Sequence, residues 1–514
     1  MTMLARRLGT IFVLGIAGLL QPPLLDAATA EDSGDAAHRD AIGSWVAAHR
    51  GPILDDLKAL LSLPNDATDH PAMRRNAEWI VAELEERGAR AELLETAGSG
   101  PYLYAELAPG DGPPEGPPLT ILFYCHYDGQ PVDPSKWTRG APYAPALEGN
   151  PSDPDARIYA RSASDAKGPI IALLAAIDAL RSAGIPRTVH LKLILDPEEE
   201  ISSPHLRGLL AGYAELLRSD LMIFADGPVF PTGKPTLVFG VRGIVTVTLE
   251  LYGPASALHS GHYGNWAPNP AEKLSRLIAS MKDAEGRVLV AGFYDGVEPL
   301  GSEAQAALER IPAVEPALMD ALLIARPDGG GRSLQDLINL PSLNLRGLRA
   351  GWVGDEARTI VPSSAIAEID MRLVKGVTPD SQVARLREHI GKQGFFVVDR
   401  EPTAEERRAH PLVLRLTRET GIPASRTSME TPLSLAVTAA VRRAVEGEVI
   451  MLPTLGGTGP LSLFEEALAL PVYTVPIVNH DNNQHGPDEN LRLGNLWRGI
   501  AIYASLLRLA RPAP

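Results

Sequence analysis

The sequence predicts an α/β fold: a layered domain of alternating strands and helices, interrupted by a smaller α+β unit. Three observations carry this. Apolar, β-favouring runs at 119–125, 188–195 and 221–224 alternate with helical segments at 168–184 and from Leu206 onward, the rhythm of a layered α/β domain. After Gly243 the character changes. Ile244–Leu251 and Ala365–Leu373 alternate apolar and polar residues as half-exposed strands do, and helices at Pro270–Ala284 and Ser381–Gln393 and a strand at Phe395–Val398 accompany them. The first pattern then resumes at Leu433–Glu446, Val449–Leu452 and Val472–Val478, so the second unit is inserted into the first. The expected division is a leader at 1–30, a first part of the main domain at 31–242, the insertion at 243–403 and a second part of the main domain at 404–514.

Taken in order, Arg6 and Arg7 precede an apolar run, Leu8–Leu20, that is short for a bilayer span. Small residues at Ala28, Thr29 and Ala30 follow it. That is the pattern of a cleaved secretory signal peptide, which implies a periplasmic or secreted protein with no stable membrane insertion after cleavage. Residues 31–40 read as a loose polar stretch. Helical periodicity is expected at Ile42–Leu61 and Asn76–Gly88, a strand at Leu103–Leu107 and a turn at 109–118. Leu119–Cys125 is an unbroken apolar run, as expected of a strand buried on both faces. Cys125 is the sole cysteine, so export brings no disulfide framework. At 514 residues the chain can bury a large core, and a net charge of -15 argues against a nucleic-acid or anionic-membrane partner.

The chemistry gathers where these elements end. Asp165 lies between an extended segment, Arg157–Arg161, and the small-residue helix that starts at Gly168. There it is expected to cap the helix and to reach the carboxyl edge of a sheet at once. The buried strand ends in His126-Tyr127-Asp128, whose first and third residues share a side, so that a carboxylate can orient a metal-binding imidazole. The strand at 188–195 runs into Asp196 and Glu198-Glu199-Glu200, the strand at 221–224 into Asp226, and the strand at 472–478 is followed by His480 and His485. Parallel or mixed sheets bring such ends to one edge. Two imidazoles and three carboxylates there suit two borderline N/O-ligated cations, Zn²⁺ or Mn²⁺, one carboxylate bridging them. Such a pair polarises a carbonyl and activates water, which points to hydrolysis of an amide. Trp266 and the methionines read as packing residues.

His126-Tyr127-Asp128-Gly129-Gln130-Pro131, Ser164-Asp165-Ala166-Lys167-Gly168-Pro169, Glu198-Glu199-Glu200, Leu258-His259-Ser260-Gly261 and Gln484-His485-Gly486-Pro487-Asp488-Glu489 together resemble, in order and spacing, the di-zinc metallopeptidase family of carnosinases, non-specific dipeptidase, glutamate carboxypeptidase, aminoacylase and the acetylornithine and succinyl-diaminopimelate deacylases. The carnosinase-type dipeptidase branch is the nearest in form. The resemblance implies a three-layer α/β/α catalytic domain with an inserted ferredoxin-like lid and dimerisation domain. It implies His126, Asp165 and Asp226 on one metal and Asp165, Glu200 and His485 on the other, most simply Zn²⁺ with Mn²⁺ or Co²⁺ as substitutes. Glu199 matches the general base for a water bridging the metals, and Asp128 the residue that orients His126. His259 matches a histidine that reaches the partner subunit's site in a homodimer, and Thr359, Arg372 and Thr458 match positions that hold the substrate's terminal carboxylate.

Two departures from that pattern stand out. Ala166 stands where the family usually has Asp or Asn, and Thr454-Leu455 where it usually has Arg-Glu. Neither is a ligand position, so metal binding is expected to survive, while side-chain preference is open. The expected activity is hydrolysis of a dipeptide or short peptide. N-acyl or N-carbamoyl amino-acid hydrolysis is the alternative on the same machinery, and an inactive peptide-binding protein is the alternative outside enzymes.

Overall fold

The computed structural model describes residues 26–110 and 117–512. Most of the expected leader and the centre of the turn expected at 109–118 lie outside them. Two sheets organise the chain. The larger has eight strands in the order Arg90–Leu94, Tyr102–Leu107, His190–Asp196, Thr120–His126, Leu221–Phe224, Val472–Thr474, Thr236–Val238 and Ile450–Leu452. Its centre is parallel: Thr120–His126 runs alongside His190–Asp196 on one side and Leu221–Phe224 on the other. Ile121, Phe123 and Cys125 face one helical layer with the helices Lys167–Ser182 and Leu493–Leu506, and Leu122 and Tyr124 face the other with Leu206–Leu217 and Leu461–Leu468. An apolar run with no polar alternation is what a strand covered on both faces requires. The fold is the expected α/β/α sandwich.

The smaller sheet has the order Ser342–Ala350, Ser364–Leu373, Gly243–Tyr252, Val413–Ile422 and Phe396–Val398. Its first four strands, with the helices Pro270–Ala279 and Pro379–Lys392, follow the ferredoxin-like path, and Phe396–Val398 adds a parallel edge. Val413–Ile422 lies past the expected end of the insertion at 403, yet it pairs with Ile244–Tyr252. Its Leu414 and Leu416 are buried on either side of Arg415. The two crossings between the units run side by side, Gly240–Val241 against Ser425–Arg426. A Cβ at Gly240 would lie 2.3 Å from the carbonyl oxygen of Ser425, so glycine permits that approach.

Three expectations need correction. The helix Asp26–Leu61 runs through residues 31–40, which were expected to be a loose polar stretch. Alanine is the best helix former, and Asp35 faces Arg443 at 3.3 Å. The strand before Asp165, Arg157–Tyr159, belongs to a separate three-stranded sheet with Asn490–Arg492 and Ala146–Glu148, not to the large sheet. Trp266 is 80% exposed and packs in no core.

Lys167 is fully buried at the start of its helix, and its Nζ donates to the carbonyls of Leu60 at 2.9 Å and Leu63 at 2.8 Å, fastening the end of the first helix to the Asp165 segment. Lys167→Met keeps the apolar stem and leaves both carbonyls without a donor. It should lower unfolding free energy by about 2–4 kcal/mol. Urea unfolding checks this, and a loss below about 1 kcal/mol would mean that water replaces the ammonium at both carbonyls.

Candidate metal centre

Three parallel strands deliver the first ligand candidates. Thr120–His126 ends on His126, His190–Asp196 leads into the short 3₁₀ turn Glu199–Ile201, and Leu221–Phe224 is followed within two residues by Asp226. His126 and Asp128 are fully buried, with Nδ1 of His126 3.1 Å from Oδ1 of Asp128. The other Asp128 contacts explain its place: Oδ1 accepts from the backbone N–H of Glu199 at 3.2 Å and Oδ2 from that of Glu200 at 3.0 Å. One carboxylate therefore aligns the imidazole and the glutamate turn together.

Asp165 sits where the two halves meet. Its Oδ1 is 2.8 Å from Nε2 of His126, and its Oδ2 is 3.1 Å from Nε2 of His485. Gln484 also donates to Oδ2, at 2.7 Å. His485 Nε2 lies 3.2 Å from Oε2 of Glu200, which accepts from Nε2 of Gln130 at 3.0 Å. His126, Asp165 and Asp226 form one group whose ligand atoms all lie within 4.8 Å of one another, and Asp165, Glu200 and His485 form a second. His480, the alternative to His485, is exposed and joins neither. The expected capping role of Asp165 fails. Ala166 holds the N-cap position with no side-chain cap, because the Asp165 carboxylate is turned into the site.

The electrostatics are those of a site short of positive charge. Burial, reinforced by the charge of Asp165, pushes the Asp226 carboxyl up to about 7. Burial also raises Glu199 far above the ordinary range; His126 opposes this and the charges of Asp226, Asp165 and Glu200 add to it. Hydrogen bonds to Asp165 and Glu200 hold His485 up to about 10. Burial alone would raise Asp165, but its bonds to His126, His485 and Gln484 keep it ionised. Imidazole protons thus do in part what divalent cations would do fully, and the mixed N/O donor set fits Zn²⁺, Mn²⁺ or Co²⁺.

The remaining expected residues lie apart from the two groups. Arg372 donates from Nη1 to Oγ1 of Thr458 at 2.7 Å, joining the two units. Behind it Arg242 is buried, and burial and then the charge of Arg372 push it down to about 10. Two neighbouring guanidiniums make an anion-favouring corner, and Arg242 was not expected from sequence. His259 and Thr359 are exposed on the second unit, where the N–H of Ser260 donates to the Thr359 carbonyl at 3.0 Å. Nδ1 of His259 accepts from the Gly261 N–H at 3.0 Å, which leaves Nε2 as the donor of this exposed ring. Gln130 and Gln484 carry no role expected from sequence, although they lie in the motifs of His126 and His485 and donate to Glu200 and Asp165.

Known proteins are similar to this chain. The model of peptidase family M20/M25/M40 matches residues 122–509. The chain is 25% identical over 480 residues to the Cys-Gly metallodipeptidase dug1 of Schizosaccharomyces pombe, covering 89% of this chain and 95% of that one. It is 24% identical over 489 residues to the human Beta-Ala-His dipeptidase, covering 91% of each. Among solved structures, the M20 family metallo-carboxypeptidase Sso-CP2 from Sulfolobus solfataricus superposes with a TM-score of 0.73 at 29% identity, over 89% of this chain and 99% of that one.

Because Asp226 and His485 must give up protons to bind a cation, metal affinity of the stripped protein should rise steadily from pH 6 to pH 8 with proton release on binding. Chelator-competition titrations at several pH values check this. A flat profile would contradict the charge balance described.

Proposed function

Because the chain belongs to peptidase family M20/M25/M40, we propose that it is a di-metal dipeptidase. In this reading His126, Asp165 and Asp226 hold one cation and Asp165, Glu200 and His485 the other. The observation that carries the reading is the pair of three-residue groups sharing Asp165, with Glu199 beside them. When bound, two such cations polarise the scissile carbonyl and lower the pKa of water, most simply as Zn²⁺. Glu199 takes the proton from the attacking water and passes it to the leaving amine, once the charge of the bound cations offsets the burial that raises its carboxyl. Arg372 and the Thr458 hydroxyl donate to a substrate carboxylate in this reading, which their mutual hydrogen bond and the buried Arg242 behind them support. The dipeptidase names of relatives matched over most of their length support a dipeptide substrate over an N-acyl or N-carbamoyl one.

Dimerisation belongs to the same proposal. His259 is exposed with its Nε2 free to donate, its ring centroid 4.8 Å from that of His262, and the same short stretch exposes Tyr263 and Trp266. The second unit also exposes Leu348, Trp352 and Val353. These features support a homodimer in which His259 stabilises the oxyanion in the partner's site. Export to the periplasm rests on the N-terminal residues alone. Among the described residues no helix is long and apolar enough to cross a membrane. N-terminal sequencing of protein recovered from cells should find cleavage near Ala30, and an intact Met1 would refute export.

Glu199→Gln should retain both cations and lose roughly 100- to 10,000-fold in kcat. Asp165→Ala should lose both cations, as metal analysis of the purified variants would read. Near-normal turnover in the first variant, or one retained cation in the second, would refute the assigned roles. Glu199→Gln and His259→Ala chains should each be inactive alone and regain Cys-Gly hydrolysis when mixed and allowed to exchange subunits. No recovery from a mixture shown to contain mixed dimers would place His259 outside the partner's site.

A further inference from the structure

Glu489 ends the motif that carries His485, and nothing in the proposed chemistry uses it. It is 1% exposed, yet its carboxylate meets five donors, all from one short segment. Oε2 accepts from Nη1 of Arg161 at 2.6 Å and from the Ser162 N–H at 2.9 Å. Oε1 accepts from the Ser164 N–H at 3.1 Å, the Ser164 hydroxyl at 3.0 Å and the Asp165 N–H at 3.0 Å. Its backbone carbonyl accepts from the Ala160 N–H at 3.0 Å. Arg161 also reaches back to the His485 carbonyl at 3.4 Å, beneath the ring of Trp137 at 5.6 Å.

We propose that Glu489 is the positioning residue that locks the shared carboxylate of Asp165 to the loop bearing His485, and so sets the strength of the Asp165–Glu200–His485 cation site. The inference rests on the two-cation reading above. The geometry leaves no freedom in the choice of side chain. Every group facing the carboxylate is a donor, so an amide in its place must set an –NH₂ against at least two N–H groups, whichever way it turns. Aspartate is one methylene short of the same contacts. The Arg161 guanidinium balances the Glu489 charge, so the anchor adds no net charge to a site already rich in carboxylates. With the Asp165 amide pinned, the two carboxylate oxygens stay directed at His126 and at His485. Partners of this kind behind metal ligands typically carry 10- to 100-fold of metal affinity.

The test is a Co²⁺ titration of the metal-stripped full-length protein, followed by visible absorption and chelator competition. Wild type should bind two equivalents; fewer would overturn the two-cation reading and this inference with it. Glu489→Gln should bind the second equivalent roughly 10- to 100-fold more weakly, with altered absorption bands, while the first changes much less. Ser164→Ala, which removes one of the five donors and leaves the carboxylate in place, should weaken the second equivalent by roughly 2- to 10-fold, the value of one net hydrogen bond. It decides the matter if Glu489→Gln does not fold. Two wild-type affinities in the variants would overturn the assignment. So would equal losses at both equivalents with early unfolding of the metal-free chain, since that would make Glu489 a scaffold residue only.

Discussion

Asp165 offers one carboxylate oxygen to His126 and the other to His485, and the rest of the centre depends on that sharing. Burial first, and then the repulsion between carboxylates held this close, raises the proton affinities of Asp226 and Glu199. A fold tolerates such an arrangement when something positive is meant to occupy it. Much of the polar structure nearby keeps these groups from moving apart: Asp128 fixes His126 and the glutamate turn, Gln130 and Gln484 tie down Glu200 and Asp165, and Glu489 holds the loop behind.

The topology makes the convergence inexpensive. Three adjacent parallel strands end at the same edge, so His126, the 199–200 turn and Asp226 arrive together without long loops. The other ligand, His485, comes from far along the chain, with φ at 64°, a backbone conformation uncommon for a non-glycine residue. Between the strands and His485 the chain makes the whole second unit, entering and leaving through paired crossings, Gly240–Val241 and Ser425–Arg426. Arg372 reaches from that unit to Thr458 of the first, so a substrate carboxylate held there would sense the relation between the two.

The proposed ligands His126, Glu200 and Asp226 are legible because each ends or follows an apolar run, a local signal, while Asp165 and His485 are legible because the order of the motifs resembles that of a known family. What was not legible was set by distant partners. A three-residue strand such as Arg157–Tyr159 takes its sheet from Asn490–Arg492, hundreds of residues away, so its membership cannot be read locally. Asp165 looked like a helix cap because Asp usually is one there; the pull of two imidazoles turned its carboxylate away and left Ala166 uncapped. Val413–Ile422 hides its two buried leucines among arginines and a glutamate that read as a solvated face. Glu489 stood in plain view in its motif, but the amides it accepts from lie more than 300 positions earlier.

The central claim is that two cations share Asp165. Anomalous diffraction from crystals of the full-length protein grown with zinc tests it directly. The account predicts two peaks about 3.5–4 Å apart on either side of the Asp165 carboxylate. One should lie within bonding distance of His126 and Asp226, the other of Glu200 and His485. A single peak, or two peaks that do not both touch Asp165, would contradict it.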